Sequence, residues 1–305
     1  MSEVTSAVVK SKLSKQAFLT LLLIGFMMGA NHVSARFAFN DGLDVTTAVL
    51  ARSFMTCLTV MLLIVFQGVP RVIPQAHKKY LFAVGLLLTV QSTCIYASVA
   101  RMPVALALLA FNTYPLIVAL LSRVVYKEVI ERKVLWLMPL MLIGLGLALD
   151  VFGATSGLGA LEQWGVIGEG VAYALGATLS FSVALLLTQH GTPGLDGRIR
   201  SFCNMGMVAV ITLVVCIIQG GPHLPQHYSG WIGLGLLIFF YGTAFTIMFT
   251  VLPRLGAVGN TSIMNVEPVC ALILAWIVLD QHISLTQVCG ALIVVAGAIV
   301  LGLRK

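Results

Sequence analysis

Charge is scarce in this chain. Only 10% of its 305 residues are Asp, Glu, Lys or Arg, 59% are hydrophobic, and the mean hydropathy is +1.01. A water-soluble domain cannot conceal so apolar a composition, and the chain reads as an all-α integral membrane protein. The short motifs of common chemistries are missing too. There is no G-x-S-x-G elbow and no Walker-type glycine loop, and His77, His190, His223, His227 and His282 fall in or near loops without metal-ligand spacing. No catalytic set, metal or cofactor is expected. The cysteines, Cys57, Cys94, Cys203, Cys216, Cys270 and Cys289, all lie inside apolar runs, spaced neither as a disulfide framework nor as a metal site. The net charge of +7 does not point to nucleic acid, because the bases flank apolar runs instead of forming a folded basic face.

What is present is a succession of apolar runs, each long enough to cross about 30 Å of hydrocarbon as a helix. The first follows Lys10, Lys12 and Lys15 as a signal peptide would, but it is too long and lacks a cleavage site, so it counts as a span. Ten helices are predicted at 16–39, 44–66, 79–99, 103–123, 133–152, 167–189, 199–219, 230–252, 256–279 and 284–303. The Gly-rich segment from Gly153 to Gly165 holds no Lys or Arg and is the natural join, giving a first five-helix unit at 1–152, a linker at 153–166 and a second unit at 167–305. With a cytoplasmic N-terminus, every Lys and Arg except Arg36, Arg52 and Arg101 falls on the inner side. Both termini are therefore expected in the cytoplasm and the protein in the cell inner membrane. Five helices is an odd number, so a duplicated second unit must be inverted.

Duplication is visible in the helix interiors. Asn112, Tyr114 and Pro115 interrupt the fourth helix, and Asn265, Glu267 and Pro268 interrupt the ninth, displaced by 153 residues. Each proline removes a backbone donor, freeing the carbonyls of Phe111 and Met264, and each asparagine can repair the backbone or meet a substrate. Only the second copy carries a carboxylate. Glu267 lies about 15 Å into its helix, close to the midplane, where an ionised acid must face a cavity or a partner such as Arg52. Desolvation there would favour a proton carrier.

Other candidates follow from helical spacing. Asn260 shares a stripe with Met264, Glu267, Ala271 and Ala275. On the first helix Gly25, Gly29, His32 and Arg36 share a face, with Asn31 about 100° away; the glycines fit close packing, and His32 reads as a titrating or a packing group. Arg52 is either an anion clamp or the partner of an acid. Gln91 aligns with Cys94, Ser98 and Arg101, and Tyr96 with Ser92 and Thr93, so either face of the third helix can line a cavity. Tyr173, Gly176, Ser180 and Ala184 on the sixth helix, like Thr243, Thr246 and Thr250 on the eighth, are packing residues or substrate contacts.

Taken with Gly29-Ala30-Asn31-His32, the segment Arg52-Ser53-Phe54, and Pro115 followed by Tyr126-Lys127-Glu128, the chain resembles the drug/metabolite transporter superfamily in its ten-helix EamA-type branch. Pro268 and Leu279-Asp280-Gln281 repeat the last motif, with Gln281 where that branch usually has Glu. The resemblance implies export of amino acids or other small metabolites through a cavity between the halves. The expected protein is thus a secondary exporter, monomeric or weakly dimeric, working by alternating access on a small-molecule substrate in the lipid bilayer, coupled to protons or driven by the substrate gradient. The alternative is a membrane-embedded enzyme acting on a lipid or prenyl substrate; it needs acids or histidines gathered at one membrane face, and Asp150, Glu162 and Glu169 are scattered.

Overall fold

In the computed structural model, residues 14–70, 72–127, 132–150, 152–153, 157, 159–251, 264, 266–281 and 284–302 are described. The helices are α1 (Lys15–Asn40), α2 (Val45–Phe66), α3 (Gln75–Arg101), α4 (Val104–Phe111), α5 (Tyr114–Tyr126), α6 (Arg132–Ala148), α7 (Ala160–Gly191), α8 (Gly197–Ile218), α9 (Tyr228–Thr250), α10 (Glu267–Leu279) and α11 (Leu285–Gly302). The fourth span is α4 and α5 together, so the ten-helix architecture holds with one span in two pieces. Its N-caps are ones the sequence supplies: Ser14 accepts from the Ala17 amide at 3.1 Å, and Asp44 from those of Thr46 and Thr47 at 3.0 and 3.2 Å.

Most helix ends fall within a few residues of expectation, and one differs by more. Helix α7 starts at Ala160, inside the expected linker, because Gly159 turns the chain at a φ of 80° and good helix formers follow it at once. Gln163 then donates to the Leu149 carbonyl at 3.2 Å, tying the start of α7 to the end of α6. In the ninth span α10 begins at Glu267; of the expected first half only Met264 and Val266 are among the described residues, and Asn260 and Asn265 lie outside them.

Helix ends reveal the inversion. Gln226, just before α9, bonds through its amide to Asp41 at the end of α1, so α1 and α9 run antiparallel. At one end of the α2 and α8 pair the Asp44 amide bonds the His223 carbonyl, and at the other Arg198 donates to Gln67. Arg101 at the end of α3 pairs with Glu169 near the start of α7 at 2.6 Å, while at the far end a Cβ on Gly191 would run into the Tyr80 ring. The helices of these three pairs therefore run in opposite directions across the two halves. Exchanging the halves turns the α1 and α9 contact into that of α7 and α3, and leaves the α2–α8 and α6–α11 contacts in place. The two five-helix repeats are thus inverted and interleaved. Both repeats also end their broken span alike, Lys127 and Asp280 taking the left-handed conformation at φ 56° and 49°, again 153 residues apart.

Helices α1 and α10 approach each other closely. A Cβ on Gly29 would lie 2.9 Å from the Glu267 carbonyl oxygen and 3.0 Å from the Ala271 nitrogen, and one on Gly25 would lie 2.8 Å from Val266 Cγ1. Glycine at these two positions lets the backbone of α10 lie directly on α1, as the small-xxx-small spacing predicts. Gly29→Ala is therefore expected to cost about 1–3 kcal/mol, since the obstacle is backbone and cannot turn aside. Gly146→Ala, where a Cβ meets nothing within 4 Å, should be neutral or mildly stabilising. Thermal unfolding of both variants in detergent checks the contrast.

Candidate functional site

The interruption of the fourth span shows how this chain opens a helix at membrane depth. Pro115, the second residue of α5, cannot donate, and α4 ends at Phe111. Asn112 remains inside the fold: its side-chain amide donates to the Leu108 carbonyl at 2.9 Å. The loosened carbonyls are met from α7. Thr178 Oγ1 lies 3.3 Å from the Ala110 oxygen and 3.5 Å from that of Phe111, and Ser182 Oγ 3.2 Å from the Tyr114 oxygen, while each hydroxyl also lies 2.8 and 2.7 Å, respectively, from the carbonyl one turn back in α7. Rings close the junction, with Phe181 set 5.3 Å from Phe111 and 5.0 Å from Tyr114 between centroids.

Its counterpart in the second repeat is built from different chemistry. Moving 153 residues along converts Phe111, Tyr114 and Phe181 of the first junction, with Phe181 reached from 28, into Met264, Glu267 and Met28. Met28 and Met264 belong to one apolar cluster, and Glu267 opens α10. A helix N-terminus favours a carboxylate there. His32 Nδ1 lies 3.2 Å from Glu267 Oε1 and 3.0 Å from the Met28 carbonyl. A carbonyl accepts only, so this nitrogen carries the proton and the other ring nitrogen of a neutral His32 is the basic one.

Between the two junctions lies a cavity of about 260 Å³. Both repeats line it. His32, Arg52, Gln91, Ser92, Phe111 and Met28 come from the first, and Phe181, Ser201, Asn204, Tyr241, Phe245 and Glu267 from the second. Among the described residues none of α6 or α11 lines the wall, and these two helices pack on each other.

Arg52 is the most heavily invested residue of this wall. It is 3% exposed, with its guanidinium carbon 4.1 Å from the centroid of Tyr241 and 4.6 Å from that of Tyr96. It donates to Ser92 Oγ at 2.9 Å and to Tyr96 Oη at 3.3 Å. Tyr96 passes its own proton to Asn31 Oδ1 at 2.7 Å, and the Asn31 amide donates to the Leu237 carbonyl at 2.7 Å. A chain of hydrogen bonds thus runs from α2 through α3 and α1 to α9. Among the described residues no carboxylate lies within ion-pair distance of Arg52. Its Nε is buried without a hydrogen-bond partner, and so is Asn204 Oδ1 in the same cavity wall.

The structure brings Glu267, His32, Arg52 and Gln91 together at the cavity, with Tyr96 and Asn31 directly behind. Both faces of the third helix are used: Gln91 and Ser92 reach the cavity while Tyr96 anchors Arg52. Asn112 and Tyr114 lie at the aromatic junction, next to the wall residue Phe111. Tyr173 and Ser180 are not in this wall; the Tyr173 ring packs under the Arg101 guanidinium at 4.8 Å. Sequence reasoning passed over Thr178, Ser182, Phe181 and Asn204. The freed Phe111 carbonyl signalled that some donor was needed, but not which helix supplied it. Gln281 has a role across the molecule, accepting from the Val104 amide at 3.3 Å where α4 starts after Pro103 without a side-chain cap of its own.

An inverted pair of repeats around a shared cavity, with one span broken beside it, is an architecture of membrane transporters. The EamA-like transporter family model matches residues 15–149 and again 168–303, and the chain belongs to that family, within the drug/metabolite transporter superfamily. It is also 24% identical over 290 residues to an uncharacterized transporter of Archaeoglobus fulgidus, covering 92% of this chain and 94% of the relative. A protein of known crystal structure superposes with a TM-score of 0.58 at 19% identity, over 92% of this chain and 96% of the other, which shows a shared fold.

Tyr96→Phe tests the buried chain of hydrogen bonds. It keeps the ring over Arg52 but strands Asn31 Oδ1, and should lower stability by about 1–3 kcal/mol in thermal or denaturant unfolding.

Proposed function

We propose that this protein is a secondary exporter of small amphipathic metabolites such as amino acids, working by alternating access and coupled to protons through Glu267. The observation that carries the reading is the cavity itself, walled by both repeats and holding one acid, one histidine and one arginine among aromatic and thioether side chains. Its volume of about 260 Å³ favours compact substrates, since pockets for drug-sized ligands begin near 300 Å³.

Rocking of one repeat against the other would open this cavity first to one side and then to the other. Glu267 sits where the two motions meet. It starts α10, lies against Gly29 of α1, and contacts His32. A proton arriving on Glu267 would remove its charge and weaken that contact, giving the repeats a reason to prefer one arrangement over another. Outward transport is the direction that the resemblance in sequence implies. An inner membrane with both termini in the cytoplasm fits the sorting of basic residues: the paired loops at 41–44 and 219–227 hold no Lys or Arg, whereas the opposite ends carry Lys78, Lys79, Arg123, Lys127, Arg198 and Arg200. Function as a monomer or weak homodimer suits a cavity completed within one chain.

In proteoliposomes bearing a pH gradient, wild-type protein should drive uptake or efflux of its cargo in step with the gradient. Glu267→Gln should reduce gradient-dependent flux by about tenfold or more while leaving the folded protein intact, the loss expected when a proton-transfer group is removed. Equal flux and equal pH dependence in the two proteins would remove Glu267 from the coupling.

A further inference from the structure

Resting on that reading, we infer that Arg52 is a carboxylate subsite, and that the cargo is a small carboxylate with an apolar body. A guanidinium taken out of water costs several kcal/mol unless it is paired, and natural buried arginines meet acids for that reason. This one does not. Two tyrosine rings, a serine hydroxyl and a tyrosine hydroxyl hold the group in place and compensate part of the cost, leaving the Nε donor without a partner. The nearby acid, Glu267, is engaged with His32 instead.

Two residues of one cavity wall carry unsatisfied atoms. Arg52 Nε lacks an acceptor and Asn204 Oδ1 lacks a donor, yet the two do not satisfy one another. Both residues belong to the cavity wall, so its polar side holds a guanidinium and an amide that the protein itself does not fully satisfy. Planar, bidentate recognition of carboxylate is what a guanidinium does best, and the tyrosine rings fix its plane before the guest arrives. Opposite the polar groups, Phe111 and Phe181 offer an aromatic surface for the remainder of the molecule. Stacking and tight volume together favour a body no larger than a single substituted ring.

Three probes that share one body separate the charges: 3-phenylpropionate has the carboxylate alone, phenylalanine has carboxylate and ammonium, and 2-phenylethylamine has the ammonium alone. Binding of each to purified wild-type protein is measured by thermal shift and by isothermal titration. Both carboxylates should bind at least about tenfold more tightly than the amine, and Arg52→Gln should lose that preference, because a hydrogen bond to a charged group contributes on the order of a tenfold or greater difference. Arg52→Lys should recover part of it. Should Arg52→Gln fail to fold, the wild-type ranking still decides the matter. Equal or tighter binding of the amine, no binding by any of the three, or an unchanged preference in folded Arg52→Gln would each overturn the assignment. Carboxylate-selective binding without flux in proteoliposomes would sink the transport reading and leave the subsite standing.

Discussion

Inside a bilayer every backbone amide and carbonyl must find its partner within the protein, and the breaks at Pro115 and Pro268 are where that demand is hardest to meet. The molecule is arranged around how they are met. At the first break α7 supplies hydroxyls: Thr178 and Ser182 reach the carbonyls of Ala110, Phe111 and Tyr114. At the second, Gly25 and Gly29 of α1 let the backbone of α10 approach within packing distance. Helices α7 and α1 hold corresponding places in the two repeats, so each break is supported by the first helix of the opposite repeat. That crossing of support interlocks the repeats and leaves the cavity between them.

The two breaks share geometry and differ in chemistry. The first is closed with the rings of Phe111, Tyr114 and Phe181; the second is set with Met28, Met264, His32 and Glu267. Duplication supplies the scaffold twice, and the side chains then divide the labour, one junction apolar and one ionisable. Arg52 stands apart from both. Its guanidinium, held between Tyr96 of α3 and Tyr241 of α9, puts a positive charge in the cavity wall against one helix from each repeat.

Much of this architecture was legible in the chain. Apolar run length gave the spans, the sorting of Lys and Arg gave their alternation, and the repeated Asn-x-x-Pro spacing marked the breaks. The 153-residue displacement reappears in the structure at Lys127 and Asp280, which no propensity would have singled out, because a left-handed lysine or aspartate is set by the way the helix ends and not by its own preference. Periodicity was weaker at saying which face of a helix looks inward. On α7 the stripe through Tyr173 and Ser180 and the stripe through Thr178 and Ser182 are both small and polar, and only tertiary packing decides that the second faces the break while Tyr173 lies under Arg101. Arg52 was open between an acid's partner and an anion clamp, since a sequence does not tell whether two intramembrane charges meet.

The central claim is that one cavity between two inverted repeats is reached from each side of the membrane in turn. Its most direct test is a single cysteine at Gln91, in a protein otherwise free of cysteine, labelled in oriented vesicles by a membrane-impermeant thiol reagent added to one side or the other. The account predicts labelling from both sides, with cargo or a pH gradient raising one rate as it lowers the other. Labelling from one side only, under every condition, would contradict it.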